Sequence, residues 1–211
     1  MTFRAFRVEK TDLGFERSII ERSETELPAG DLLISVKYSS LNFKDGLSAT
    51  GNPRVTRSYP HTPGIDASGI VLDSSHPNFE VGDEVIVIGF DLGMGTSGGF
   101  AERIRIPANW AVKCPPGLTL HSSMVIGTAG FTAAECVQKL EHSGMTNKSG
   151  PVMVTGATGG VGSVAVKLLS LLGYEVTAVT GKRDKIDWLM SLGATSVITR
   201  EEALEGTTKP I

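Results

Sequence analysis

The sequence predicts an α/β chain in two parts: a partly open β-barrel of short strands, then a doubly wound parallel sheet. Three observations carry that expectation. The first half holds short β-branched runs separated by proline and glycine turns. Around Pro115-Pro116-Gly117 the composition turns helical. From residue 152 onward, strand and helix patterns alternate with short links.

Residues 32–38 read as a strand entered through the turn Pro28-Ala29-Gly30-Asp31. Residues 65–72 form a second strand after Pro63-Gly64, and Val81-Gly82-Asp83 turns the chain into a third at 84–88. A glycine-rich loop over 89–99 precedes an alternating strand at 100–106, which Pro107 stops. Residues 119–140 are rich in Ala, Met, Leu and Gln and read as a helix interrupted at Gly127 and Gly130. After a polar connector at 144–150 come a strand at 152–154, a glycine turn, and a helix over 161–172. A strand at 175–179, a helix at 182–192 and a strand at 196–198 complete the pattern. A full sheet of this kind has about six strands. Only three are present, so the chain is expected to be a fragment.

The segment Val154-Thr155-Gly156-Ala157-Thr158-Gly159-Gly160-Val161-Gly162 is a loose variant of the dinucleotide-binding turn. One glycine lets the chain leave the strand sharply, another admits a pyrophosphate, and a third lets the helix pack on the sheet. The helix N-terminus then supplies N–H groups and partial positive charge. A glycine-rich turn that binds nothing is the alternative, and its place between an apolar strand and an amphipathic helix argues against it. An NAD site usually carries an acid about 20 residues past the glycines. Here the second strand ends Thr180-Gly181-Lys182-Arg183, with no acid until Asp184. Two cations and a hydroxyl suit a 2′-phosphate, which favours NADPH. The alternative, that they decorate an exposed helix start, is weakened because cations sit poorly at a helix N-terminus.

Composition narrows the field. The 211 residues carry 20 Lys and Arg against 23 Asp and Glu, a formal net charge of −3, which gives no case for sequence-independent nucleic-acid binding. Two cysteines cannot build a disulfide scaffold and are expected to be buried small hydrophobes. The opening MTFRAFRVEKTD has no signal-peptide core, and no apolar run reaches the length of a membrane span. The four histidines, 61, 76, 121 and 142, show no metal spacing and are expected at the surface or capping elements. Gly95-Thr96-Ser97-Gly98-Gly99 matches a hydrolase nucleophile turn, but no strand precedes it and no helix follows, so it is rejected. A cytoplasmic protein with a small-molecule substrate and no nucleic-acid or membrane partner is expected, homodimeric when full length.

The runs SSLNFKDGL (39–47), PGIDASGIV (63–71), GTAGFTAAE (127–135), VTGATGGVG (154–162) and VTGKRDKIDWLMSLGA (179–194) span nearly the whole chain. With them the sequence resembles the medium-chain dehydrogenase/reductase superfamily, and more closely its zinc-free branch of quinone oxidoreductase-like proteins and acryloyl-CoA reductases. The resemblance implies a GroES-like catalytic domain over 1–124 and the N-terminal half of a Rossmann NADPH-binding domain over 125–211, with catalysis in the cleft between. Zinc-dependent relatives have Gly-His-Glu where this chain has Gly64-Ile65-Asp66, and isoleucine cannot ligate a metal.

Asn42 matches the family position near the nicotinamide and could orient cofactor or substrate; a loop-capping Asn is the alternative. Lys44 and Asp45 are either a surface pair or catalytic-cleft residues, Asp45 the stronger candidate. Asp66 is an acid inside an apolar run, which marks either an active-site group or a structural acid satisfied by backbone N–H groups. The resemblance places Thr128 and Thr132 near the nicotinamide and makes Arg200 an adenine- or phosphate-side contact. Gly156, Ala157, Thr158, Gly159, Gly160, Val161, Thr180, Gly181 and Lys182 complete the expected cofactor set, with Arg183 a further candidate. The reaction implied is hydride transfer to an activated C=C bond such as that of acryloyl-CoA. Asn42 or a backbone N–H would be the donor to the enolate, and Asp66, Asp45 or water the proton source. Quinone reduction on the same scaffold and non-catalytic NADPH binding are the rival readings.

Overall fold

The computed structural model describes residues 1–205, in two units: Met1–Thr128 and a second beginning at Ala129. The first unit opens with a hairpin that the sequence reading lacks. β1 (Thr2–Thr11) and β2 (Gly14–Ser23) pair antiparallel in unbroken register, Thr2 opposite Ser23. Phe3, Ala5 and Val8 are buried, whereas no residue of β2 is, so the hairpin presents one apolar face.

Five strands follow: β3 (Leu32–Tyr38), β4 (Asp66–Ser74), β5 (Glu84–Ile88), β6 (Arg103–Ile106) and β7 (Ala111–Lys113). They form one antiparallel sheet in the order β6-β3-β4-β5-β7. Leu32, Ile34, Val71, Val85, Ile104 and Ile106 have no exposed surface, and each such side chain contributes roughly 1.5–3 kcal/mol by leaving water. Strand β6 starts three residues later than the expected 100, because the chain before it turns to the hairpin. There the Phe6 N–H donates to the Phe100 carbonyl at 2.8 Å, and Ala5 bridges Ala101. Residues 43–49 form a short helix, α1 (Phe43–Ala49), also absent from the sequence reading.

Helix α2 (Leu120–His142) begins at a Thr119 cap, whose hydroxyl accepts the Ser122 N–H at 3.0 Å. It breaks at Gly127, with φ 49° and ψ −163°, and not at Gly130, which is buried within the helix.

In the second unit β8 (Val152–Val154), β9 (Val176–Val179) and β10 (Ser196–Ile198) pair parallel in the order β10-β9-β8. Helices α3 (Gly160–Leu171) and α4 (Ile186–Leu192) follow the first two strands, and α5 (Arg200–Glu205) follows the third. Val154, Val166, Leu169, Val176, Ala178 and Leu189 form the core. The strand order is one half of a dinucleotide-binding sheet.

Some expectations fail. Neither cysteine is a buried small hydrophobe: Cys114 is half-buried, its thiol donating to the Leu118 carbonyl at 3.3 Å, and Cys136 is exposed. His61 is not at the surface. It is buried, with Nε2 2.9 Å from the Gly93 carbonyl, and burial pushes the imidazole below its ordinary pKa.

Candidate active site

A carboxylate in the core of the first unit must be satisfied by donors, and four converge on Asp66, which has no exposed surface. Its Oδ2 accepts the Thr128 N–H at 2.8 Å, the Asn42 Nδ2–H at 3.0 Å and the Ser40 hydroxyl. Its Oδ1 accepts the Thr128 hydroxyl at 2.5 Å, and its backbone carbonyl the Ser39 hydroxyl at 2.6 Å. Three segments build this cluster: the chain leaving β3, the start of β4, and the break in α2. The break is what brings Thr128 in. A Cβ at Gly127 would stand 2.9 Å from both Asp66 Oδ2 and Ser40 Oγ, on a backbone with φ 49°. Glycine fits both the space and the conformation.

Asn42 is half-buried and precedes α1. Its Nδ2 also donates to Ser40 Oγ at 3.1 Å. Asp45, three residues on and 3% exposed, reaches back to accept the Asn42 backbone N–H at 2.8 Å. Its other oxygen accepts the N–H groups of Gly64 and Ile65 at 3.2 and 3.0 Å. It therefore clamps the start of α1 to the segment entering β4. Burial pushes the Asp45 carboxyl above the usual range, with Asp66 adding to the effect and the backbone donors opposing it. Lys44 is exposed and makes no ion pair among the described residues. Beside this cluster lies an apolar cavity of about 520 Å³ lined by Phe6, Leu41, Asn42, Asp45, Ala49 and Phe100. Ser40 was not singled out from the sequence, and Gly127 was marked there only as an interruption of the helix. The need of a buried acid for hydroxyl donors was the available signal.

In the second unit the glycine turn divides its tasks. Gly156 takes φ 60°, a left-handed conformation that lets the chain turn off β8. Gly162 packs the helix down: a Cβ there would lie 2.3 Å from the Gly156 carbonyl oxygen. Ala157 is buried, its N–H 3.3 Å from the Val179 carbonyl, and Thr158 is half-buried. Gly159, Gly160 and Val161 are exposed at the start of α3, whose first N–H groups have no helical partner. This is an anion-receiving arrangement.

The tip of β9 gathers the expected cations. Thr180 is buried and its hydroxyl accepts the Lys182 N–H at 3.0 Å. The Arg200 guanidinium lies across Gly181, with Nε 3.5 Å from where a Cβ would be. Lys182 and Arg200 are exposed and have no ion-pair partner among the described residues. Arg183 differs: the Thr199 N–H and hydroxyl hold the Glu202 carboxyl below its usual pKa, and the Arg183 charge adds to the effect. Asp184, the first acid after the strand, pairs with Lys185 at 3.4 Å. Thr132 is half-buried on α2. Among the described residues no three His, Cys, Asp or Glu side chains are grouped to hold a metal ion, and no helix is long and apolar enough to cross a membrane. Ser97, in the rejected hydrolase match, takes a hydrogen bond from Arg22 Nη1 at 2.7 Å in a loop.

Residues 28–116 match the alcohol dehydrogenase GroES-like domain family. Acrylyl-CoA reductase AcuI of Ruegeria pomeroyi is 44% identical over 196 residues, 93% of this chain and 59% of the relative. YhfP of Bacillus subtilis, which carries a quinone oxidoreductase name, is 44% identical over 209 residues, 99% of this chain and 63% of the relative. Its crystal structure with NAD bound superposes with a TM-score of 0.95 over 99% of this chain and 64% of that one. The yhdH oxidoreductase of Salmonella enterica in complex with NADP is 45% identical, with a TM-score of 0.92 over 96% of this chain and 62% of that one. The chain thus spans from 59% to 64% of the length of these relatives.

Proposed function

The chain belongs to the medium-chain dehydrogenase/reductase superfamily, and on that premise we propose an NADPH-dependent, zinc-independent reductase of activated C=C bonds, acting on acryloyl-CoA or a related α,β-unsaturated carbonyl compound. One observation carries the cofactor choice. Lys182 and Arg200 flank Gly181 without acidic partners among the described residues, beside the Thr180 hydroxyl. A 2′-phosphate needs such donors, and an acid there would repel it. The N–H groups of Gly160 and Val161 would receive the pyrophosphate, Gly156 and Gly162 shaping the turn, whose Gly159 N–H is held by the Gly156 carbonyl at 2.8 Å.

NADPH, when bound, supplies the hydride. The substrate β-carbon gains that hydride and the α-carbon a proton, while the C=C bond is reduced and NADPH becomes NADP⁺. Asn42, Thr128 and Thr132 would face the reacting end of the cofactor. Asp45 and Asp66 both hold N–H donors of the protein itself, which favours water as the proton source. Ile65 cannot ligate zinc, so positioning rather than a Lewis acid is the chain's contribution.

A second reading, quinone reduction, is favoured by the name of the YhfP relative and by the aromatic lining of the cavity beside Asn42. The test is NADPH oxidation by the intact protein with acryloyl-CoA and with a benzoquinone, with products quantified. Propionyl-CoA formed mole for mole with NADP⁺ is the expected result. Turnover of the quinone alone selects the second reading, and tight NADPH binding without turnover selects a non-catalytic binding protein.

A further inference from the structure

The chain has a net charge of −3, yet residues 51–60, GNPRVTRSYP, hold two cations and no acid. Residues 52–56 close a single turn, in which the Val55 and Thr56 N–H groups donate to the Asn52 carbonyl at 3.0 and 3.1 Å. Arg54 lies in that turn and Arg57 just past it. Both are exposed, and neither guanidinium has an ion-pair partner among the described residues. Two like charges so close repel, and no protein group offsets them.

The two arginines line a cavity of about 290 Å³ with Ser58 from their own segment and with Asp91 and Gly95 from the glycine-rich loop. Asp91 is the one acid there, and it is committed to its own loop. Its Oδ1 accepts the Gly95 N–H at 3.2 Å and its Oδ2 the Thr96 hydroxyl at 3.1 Å. A neighbouring cavity of about 390 Å³ shares Ser58 and Gly95, but its arginines are engaged. Arg7 pairs with Glu9 at 2.9 Å, and Arg22 donates to Ser97 Oγ at 2.7 Å and lies 3.6 Å from Glu26. The uncompensated charge of this face is therefore on Arg54 and Arg57.

Helix α1 fixes that charge relative to Asn42. The Asn52 N–H donates to the Leu47 carbonyl at 3.0 Å, and the Tyr59 hydroxyl to the Ser48 carbonyl at 2.6 Å. The Thr56 and Ser48 hydroxyls share a third bond at 2.8 Å. Leu47 and Ser48 lie toward the end of α1, and Asn42 is its N-cap. Seven residues at 1.5 Å each make the helix about 10 Å long, so the basic segment is held roughly that far from Asn42.

We propose that Arg54 and Arg57 form a phosphate-binding subsite for the coenzyme A half of a thioester substrate whose acyl end lies at Asn42. The proposal rests on the reductase reading with acryloyl-CoA and adds a handle remote from the reacting bond. A coenzyme A thioester carries its phosphates beyond a flexible pantetheine arm that is longer than α1. One molecule can thus set its C=C bond at Asn42 and its phosphates on the guanidinium groups, which match phosphate oxygens bidentately. A quinone or a simple enone has no anion to place there. The phosphates of the cofactor have their own proposed receivers in the second unit.

The test titrates the intact protein with propionyl-CoA, with propionyl-pantetheine, which lacks every phosphate, and with NADPH. Wild type, Arg54→Ala, Arg57→Ala, the double variant and Lys148→Ala are compared, and turnover of acryloyl-CoA is followed in each. The wild type should bind propionyl-CoA about tenfold more tightly than propionyl-pantetheine. Each single substitution should weaken propionyl-CoA binding about threefold and the double about tenfold, the size expected of exposed charge pairs. Rising salt should shrink the wild-type preference. Lys148→Ala removes an exposed cation from the second unit and should leave the preference as it was.

Equal wild-type affinity for the two thioesters overturns the proposal, as does a double variant that keeps the preference. A preference lost equally in Lys148→Ala reduces the effect to net charge and overturns it too. A rise in the NADPH constant in place of the propionyl-CoA constant assigns the arginines to the cofactor, against the proposal. A wild type that binds propionyl-CoA through the two arginines but never reduces acryloyl-CoA defeats the reductase reading alone. One that binds neither thioester defeats both.

Discussion

The two units handle polar groups in opposite ways. In the first, the buried polar side chains satisfy one another or the backbone: Ser48 with Thr56 at 2.8 Å, Ser68 and Ser123 on the Leu120 carbonyl, and Asp45 and Asp66 on their clusters. In the second, Thr180 is the one buried polar side chain among the described residues, and Lys182 and Arg200 stand exposed without ion-pair partners. Apolar surface does not follow this divide: large apolar side chains stand exposed in both units, Leu13, Leu41 and Phe43 in the first and Phe131, Leu171 and Trp188 in the second. The lesson is about what a substitution should report. Changes to the buried polar groups of the first unit act on folding before function, and polar changes at the β9 tip act on a ligand before folding.

The sharpest way to break this contrast is Asp45→Ala. It leaves the N–H groups of Asn42, Gly64 and Ile65 without their acceptor, and should cost about 3–5 kcal/mol, lowering Tm on the order of 10 °C. Thermal melts read this directly, and an unchanged Tm would mean the clamp is dispensable. Gly127→Ala comes next. Strain at φ 49° and contact with Asp66 Oδ2 should cost about 2 kcal/mol. Chemical denaturation at constant m-value measures it, and a neutral result would show that the break in α2 is not needed to seat Thr128.

Smaller and of the opposite kind, Lys182→Ala should weaken NADPH binding about tenfold at low salt and leave NADH binding and Tm unchanged. Titrations at rising salt should shrink that difference, since Lys182 is exposed. Equal losses for both nucleotides would place the phosphate elsewhere. The smallest effect concerns His61. Burial lowers its pKa below 6.5, so below that pH the unfolded chain binds more protons than the native one. Stability from this site should be fully present above pH 6.5 and fall as pH drops toward the folded value. His61→Gln should flatten that part of the stability curve, and an unaltered slope would assign it to other groups.

How much of this was legible depended on whether the signal was local. Strands β3, β5, β8 and β10 match their expected limits because β-branched runs bounded by turn residues are local statements. Hairpin β1–β2 was hidden by charges on its exposed face and by Asp12-Leu13, which is no strong turn pair. Helix α1, at seven residues, is too short to show a period, and its signal lay in the pairing of Asn42 with Asp45. At the site, residue types pointed to Asn42, Asp66 and the β9 tip. The sequence could not show that Ser40 and Thr128, 26 and 62 positions away, both donate to Asp66. Cys136 was misjudged because burial depends on what packs over its face of α2, which composition does not report.

The central claim, an NADPH-dependent reductase whose cofactor choice resides in the β9 tip, is tested most directly by one ratio. This is kcat/KM for NADPH over that for NADH, with acryloyl-CoA saturating, in wild type, Lys182→Ala and Arg200→Ala. The wild-type ratio should exceed about tenfold, and each substitution should bring it toward unity by lowering the NADPH value alone. A wild type that uses both nucleotides equally, or substitutions that leave the ratio unchanged, would contradict the account.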